Sequence, residues 1–103
     1  REFMYVDDCA DALVFLLKSY SGHEHVNVGT GEELSIAKLA EAVAETVGYT
    51  GRIVYDASKP DGTPRKLMDS TRLHELGWRS RIDLKTGLAR TYEWYKTHRQ
   101  SAR

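Results

Sequence analysis

Cysteine occurs once in the 103 residues, proline twice, and the fifteen basic side chains are balanced by fifteen acidic ones. A lone Cys9 cannot close an internal disulfide. One cysteine with four scattered histidines also gives no metal-ligand spacing, so neither a disulfide-stapled scaffold nor a zinc module fits. Zero formal net charge offers no field to nucleic acid or to an anionic membrane surface. No apolar run approaches the roughly 20 residues needed to span a bilayer. The first apolar stretch is interrupted by Asp7, Asp8 and Asp11 and does not read as a signal peptide. The expectation is no nucleic-acid partner, no membrane partner, and a reducing, cytoplasmic location.

What is present is an ordinary globular composition, 41% hydrophobic and 29% charged. That suits one small domain or part of a larger one. Position 1 is Arg, and an apolar pattern begins within three residues of it. Natural termini are usually looser, so the sequence reads as a piece of a longer protein.

Phe3 to Val6 is a short β-prone run, followed by Asp7 and Asp8, either of which can N-cap a helix reaching about Ser19. Ala10, Leu13, Val14 and Leu17 mark the inward stripe expected of that helix, and Phe15 and Leu16 suggest cover on more than one side. His25 to Val28 alternates like a strand, and Gly29-Thr30-Gly31 reads as a turn. The clearest helix follows Ser35 as N-cap, with Ile36, Leu39, Ala40, Val43, Ala44 and Val47 on one face and Gly48 at its end. Arg52 to Asp56 is a further strand candidate. A short helix begins at Asp69 or Ser70, runs through Leu76 and is closed by Gly77. The last helix starts near Asp83, carries Leu84, Leu88, Thr91, Tyr92 and Tyr95 on one face, and frays into a polar tail from Thr97.

Two motifs invite chemistry and are better read as structure. Gly29-x-Gly31 follows a strand candidate and precedes a helix, like the start of a dinucleotide fingerprint. Its third glycine position is Leu34, and no acidic residue closes a second strand at the required distance. Tyr92-x-x-x-Lys96 has the spacing of a reductase Tyr/Lys pair, but Tyr92 belongs to the apolar stripe of the last helix. Cys9 lies beside aspartates that disfavour a thiolate, a poor setting for a nucleophile.

The segment from Ser58 to Lys66 (Ser-Lys-Pro-Asp-Gly-Thr-Pro-Arg-Lys) is different. Both prolines and one glycine shape its backbone while Lys59, Arg65 and Lys66 are displayed with Asp61. A pre-shaped cationic loop suits an anion, since little ordering entropy is lost on binding. Arginine grips phosphate with a planar fork and lysine supplies a point charge. Taken alone, these residues are more readily read as a solvated turn whose charges do nothing.

The motifs also carry a family resemblance. Arg1 to Ala12 (Arg-Glu-Phe-Met-Tyr-Val-Asp-Asp-Cys-Ala-Asp-Ala) resembles the segment with which extended short-chain dehydrogenase/reductases enter their substrate domain. Asn27-Val28-Gly29, the helix capped by Ser35, and Leu76-Gly77-Trp78 are similar to motifs shared by nucleotide-sugar epimerases and dehydratases of that class. The 58–66 loop, preceded by Val54-Tyr55-Asp56, resembles more narrowly the GDP-L-fucose synthase family. The resemblance runs from Arg1 to about Lys96.

It implies an α/β fold: the C-terminal substrate-binding lobe of an extended reductase, helices with a few short strands, over residues 1–103 and without the Rossmann core. It implies a whole enzyme that converts GDP-4-keto-6-deoxy-D-mannose to GDP-L-fucose, by 3,5-epimerisation and then NADPH-dependent reduction at C4. The catalytic Ser/Tyr/Lys group, the epimerase Cys/His pair and the NADPH site belong to the upstream part of such enzymes. Cys9 does not match the family's cysteine, so the chain alone is expected to be inactive. By position, Arg1 and Lys66 match cations that contact the substrate diphosphate, Asp61 matches a substrate-contacting acid, and Arg65 stands behind them. The parent enzyme is expected to be a homodimer. Two other readings stay open: a related nucleotide-sugar epimerase or dehydratase, and a non-catalytic binding module.

Overall fold

A computed structural model describes residues 1–99 as four helices joined by long extended segments. They are α1 (Val6–Ser19), α2 (Ile36–Val47), α3 (Thr71–Glu75) and α4 (Leu84–His98). No strand forms among the described residues, which corrects the expectation of a few short ones at 3–6, 25–28 and 52–56. Alternation prepares a segment for a sheet, but a strand also needs a neighbour to take its N–H and C=O groups. The nearest approach is a single rung: the Arg1 nitrogen donates to Leu34 O at 2.9 Å and Leu34 N donates to Arg1 O at 2.8 Å.

The capping chemistry of α2 and α4 is local and follows the sequence. Ser35 Oγ accepts from Lys38 N at 3.1 Å, and Asp83 Oδ1 accepts from Thr86 N at 2.8 Å. Gly48 closes α2 with φ 78° and Gly77 follows α3 with φ 106°, both in the left-handed region. At each end two backbone bonds wrap the last turn: Tyr49 N to Ala44 O with Gly48 N to Glu45 O, and Trp78 N to Leu73 O with Gly77 N to His74 O.

Helix α1 departs from expectation in two ways. Its N-cap is Tyr5, which makes no side-chain cap bond, while Asp7 and Asp8 lie in the first turn. Asp8 is buried, and its Oδ2 accepts from Arg81 N at 3.2 Å and Ile82 N at 2.9 Å, tying α1 to the approach to α4. The buried face runs through Asp8 and Ala12, with Phe15 and Leu16 partly buried beside them. The expected stripe of Ala10, Leu13, Val14 and Leu17 instead faces outward, with Leu17 85% exposed.

The core is small. Ala12 of α1, Leu73 of α3 and Trp78 are buried together, with Met4, Val26 and Val28 packed on them from the extended segments. Trp78 Nε1 donates to Asp11 Oδ2 at 2.9 Å, so the indole is held at both its apolar and polar edges. Helices α2 and α4 pack on each other. Leu84, Leu88 and Tyr92 are partly buried as the sequence suggests, whereas Thr91 and Tyr95 are exposed. Thr97 and His98 remain helical, and the rest of the expected polar tail, from residue 100, lies outside the described residues.

Candidate functional site: a pinned cationic loop

The 58–66 loop is exposed along its whole length and has no helix or strand. It is nevertheless fastened at successive points. Asp56 Oδ1 accepts from Ser58 N at 3.0 Å and from the Ser58 hydroxyl, an Asx-type turn that opens the loop. These bonds to the charged form hold the Asp56 carboxyl below its ordinary pKa.

In the middle of the loop, Arg1 Nη1 donates to Thr63 O at 2.7 Å. Arg1 thus sits against the stretch that follows Asp61. At the far end Arg65 forms a two-pronged pair with Glu33: Nε to Oε2 at 2.8 Å and Nη2 to Oε1 at 2.7 Å. That fork lowers the Glu33 pKa and raises that of Arg65, hydrogen bonding being the larger cause in each and charge attraction adding to it. Just beyond the loop, Met68 N donates to Glu2 Oε1 at 2.8 Å, and Asn27 Nδ2 donates to Asp69 O at 3.2 Å.

The structure therefore brings Arg1 and the loop together although Arg1 and Thr63 lie 62 positions apart in the sequence. Arg65 is committed to Glu33. Among the described residues, neither Asp61 nor Lys66 has a hydrogen bond or ion pair; both stand in solvent. Sequence reasoning did not single out Glu2 or Glu33. Each is an acid whose partner lies in a distant part of the chain, which spacing along the sequence does not display.

The two motif look-alikes resolve as structural features. At Gly29-x-Gly31, the Gly31 N–H already donates to Glu2 Oε2 at 2.8 Å. A Cβ at Gly29 would lie 2.7 Å from the same oxygen and 2.7 Å from Ser70 Oγ. A carboxylate fills the place a pyrophosphate would need, and α2 begins only at Ile36, so these residues do not fit a nicotinamide cofactor. In Tyr92-x-x-x-Lys96, Lys96 Nζ lies 4.7 Å from the Tyr92 ring centroid and 2.7 Å from Glu93 Oε1. The Glu93 hydrogen bond raises the Lys96 pKa, and Lys96 serves as a helix-surface cation.

The concavity between Phe3, Glu33, Arg81 and Asp83 is no rival site for an anion. No residue of the loop lines it, and Glu32, Glu33 and Asp83 give it acidic walls. No helix among the described residues is long and apolar enough to cross a membrane.

No family model matches the chain. A GDP-L-fucose synthase of Arabidopsis thaliana is 59% identical to it over 92% of this chain and 29% of that protein. The GDP-L-fucose synthase of Escherichia coli K12 is 51% identical over 92% of this chain and 32% of that protein. Among solved structures, a GDP-6-OMe-4-keto-L-xylo-heptose reductase from C. jejuni superposes with a TM-score of 0.86 at 39% identity, covering 95% of this chain and 31% of its own. The chain thus spans under a third of the length of these relatives. By sequence it belongs to the GDP-L-fucose synthase family, of whose members it corresponds to a C-terminal portion.

Proposed function

We propose that residues 1–103 are the GDP-sugar-binding portion of an enzyme that makes GDP-L-fucose from GDP-4-keto-6-deoxy-D-mannose. The whole protein would be an extended short-chain reductase that epimerises C3 and C5 and then reduces C4. NADPH supplies the hydride when bound, on sequence outside this segment. The protein would act in the cytoplasm, as a homodimer.

In this reading Arg1 and Lys66 hold the diphosphate. Asp61 accepts from a hydroxyl or from the guanine edge, and Arg65 steadies the loop through Glu33. The observation that carries it is the Arg1–Thr63 hydrogen bond. It places the one arginine expected from the N-terminal segment on the very loop that bears the other expected contacts. Charge supports the assignment: Lys66 has no carboxylate partner among the described residues, so its ammonium is available to a phosphate.

Calorimetric titration of the full-length protein with GDP tests this. Arg1→Ala and Lys66→Ala are each expected to weaken GDP binding by about 1.5–3 kcal/mol, the range for a hydrogen bond to a charged group. That is a tenfold or greater rise in Kd. Arg1→Lys restores only part, because the guanidinium fork is lost. Arg65→Ala costs less. Unchanged GDP affinity in both alanine variants would make the loop a solvated turn.

A further inference from the structure

The Glu2 carboxylate gives one oxygen to each of two loops. Oε2 accepts from Gly31 N at 2.8 Å, and Oε1 accepts from Met68 N at 2.8 Å. Neither donor lies in a helix, so no regular ladder fixes its loop independently. Hydrogen bonds to an ionised acceptor are the strong class. Glu2 adjoins Arg1 in the chain, and Met68 comes two residues after Lys66. One carboxylate therefore connects the segment that carries the first expected diphosphate cation to the segment that carries the second. Position 29 is built around it: a side chain there would collide with Glu2 Oε2, and glycine leaves the carboxylate its place.

We propose that Glu2 is a positioning residue for GDP-sugar binding, fixing the spacing of Arg1 and Lys66 before the ligand arrives. This rests on the reading that those two cations contact the diphosphate. Without the Glu2 bridge, the Lys66 end of the loop would be held, among the described residues, only by the Arg65–Glu33 pair and the Asn27–Asp69 bond. The order it loses would have to be restored on binding, which lowers affinity without removing any ligand contact.

The test uses GDP and NADPH titrations of the full-length protein. Glu2→Gln replaces one acceptor oxygen by an amide NH₂ turned toward a backbone N–H. GDP Kd is expected to rise about tenfold, with NADPH Kd unchanged. Gly29→Ala keeps the carboxylate but displaces it, so the same rise in GDP Kd is expected; it decides the matter should Glu2→Gln fail to fold. In a Lys66→Ala background Glu2→Gln should lose most of its effect, because it acts through that lysine. The proposal is overturned by GDP affinity that stays at the parent value, by equal losses of GDP and NADPH affinity, or by additivity with Lys66→Ala. Parent-like GDP binding by both Arg1→Ala and Lys66→Ala overturns the site reading itself. Failure of the Glu2 and Gly29 variants alone leaves that reading standing.

Discussion

Asp8 shows how one residue can be plain in sequence and misread in role. An aspartate before an apolar run signals an N-cap, yet Asp8 sits inside the first turn of α1. It is buried and accepts from Arg81 N and Ile82 N. Asp8→Ala leaves two backbone donors without their acceptor and is expected to cost the full-length protein about 1–3 kcal/mol, read as a lower denaturation midpoint. An unchanged midpoint would mean that water replaces the carboxylate freely. Glu33 yields a second expectation. Arg65 holds its folded-state pKa below the ordinary 4.5, so its contribution is present above that value and is lost as pH falls through the lowered one. Glu33→Gln should therefore lower Tm at pH 7, by an amount that shrinks as pH falls below 4.5. A loss that does not change with pH would show that packing, and not charge, is the cause. Ser35 and Asp83, by contrast, were legible as caps because a cap reaches only to a backbone N–H three residues on. The bonds of Asp8, Glu2 and Glu33 span the fold, and local pattern carries no trace of them.

At the scale of elements, helices were legible and strands were not, for the same physical reason. A helix satisfies its backbone within itself, so periodicity and caps place both ends of α2 and the start of α4, while α4 runs on through Thr97 and His98 where the sequence suggests a frayed tail. The extended segments at 25–28 and 52–56 have strand-like sequences, but among the described residues no neighbouring strand pairs with them. Helix α1 also explains the inverted stripe. It is apolar on two sides, and the small core takes only the Ala12 and Phe15 side. The other side, Val6, Leu13, Val14 and Leu17, forms a continuous apolar stripe, with Val6 67% exposed. A contiguous patch of that kind marks a contact surface. Given relatives more than three times as long, the remainder of the longer protein is the expected cover. The double variant Leu13→Lys and Leu17→Lys should then lower the Tm of the full-length protein, each buried leucine being worth about 1.5–3 kcal/mol. In the isolated 103-residue polypeptide the same variant should reduce self-association. No change in full-length Tm would put the stripe in solvent.

For the molecule as a whole, surface area and dimensions point the same way. The accessible surface is 8372 Å². A compact monomer of 11.7 kDa would expose about 5,900 Å². The difference is several times the roughly 800 Å² that one partner hides in a standard interface. The radius of gyration, 16.4 Å, likewise exceeds the roughly 13 Å of a compact chain of this length. Among the described residues, the three buried apolar side chains Ala12, Leu73 and Trp78 offset little of a backbone ordering cost of roughly 1–2 kcal/mol per residue. The site shares this dependence, because the bonds that hold Arg1, Glu2 and the 58–66 loop run to one another and to extended segments such as 31–34, and to no helix. The 103-residue polypeptide expressed by itself is therefore expected to self-associate or to melt broadly. With NADPH and the keto-sugar nucleotide it should leave absorbance at 340 nm unchanged, since its Gly29-Gly31 turn is filled by Glu2 and its Tyr92–Lys96 pair is tied to Glu93. Sedimentation and a thermal melt decide the structural half. A compact monomer with one sharp transition would mean that these contacts suffice alone, and that the exposed stripe of α1 is tolerated in water.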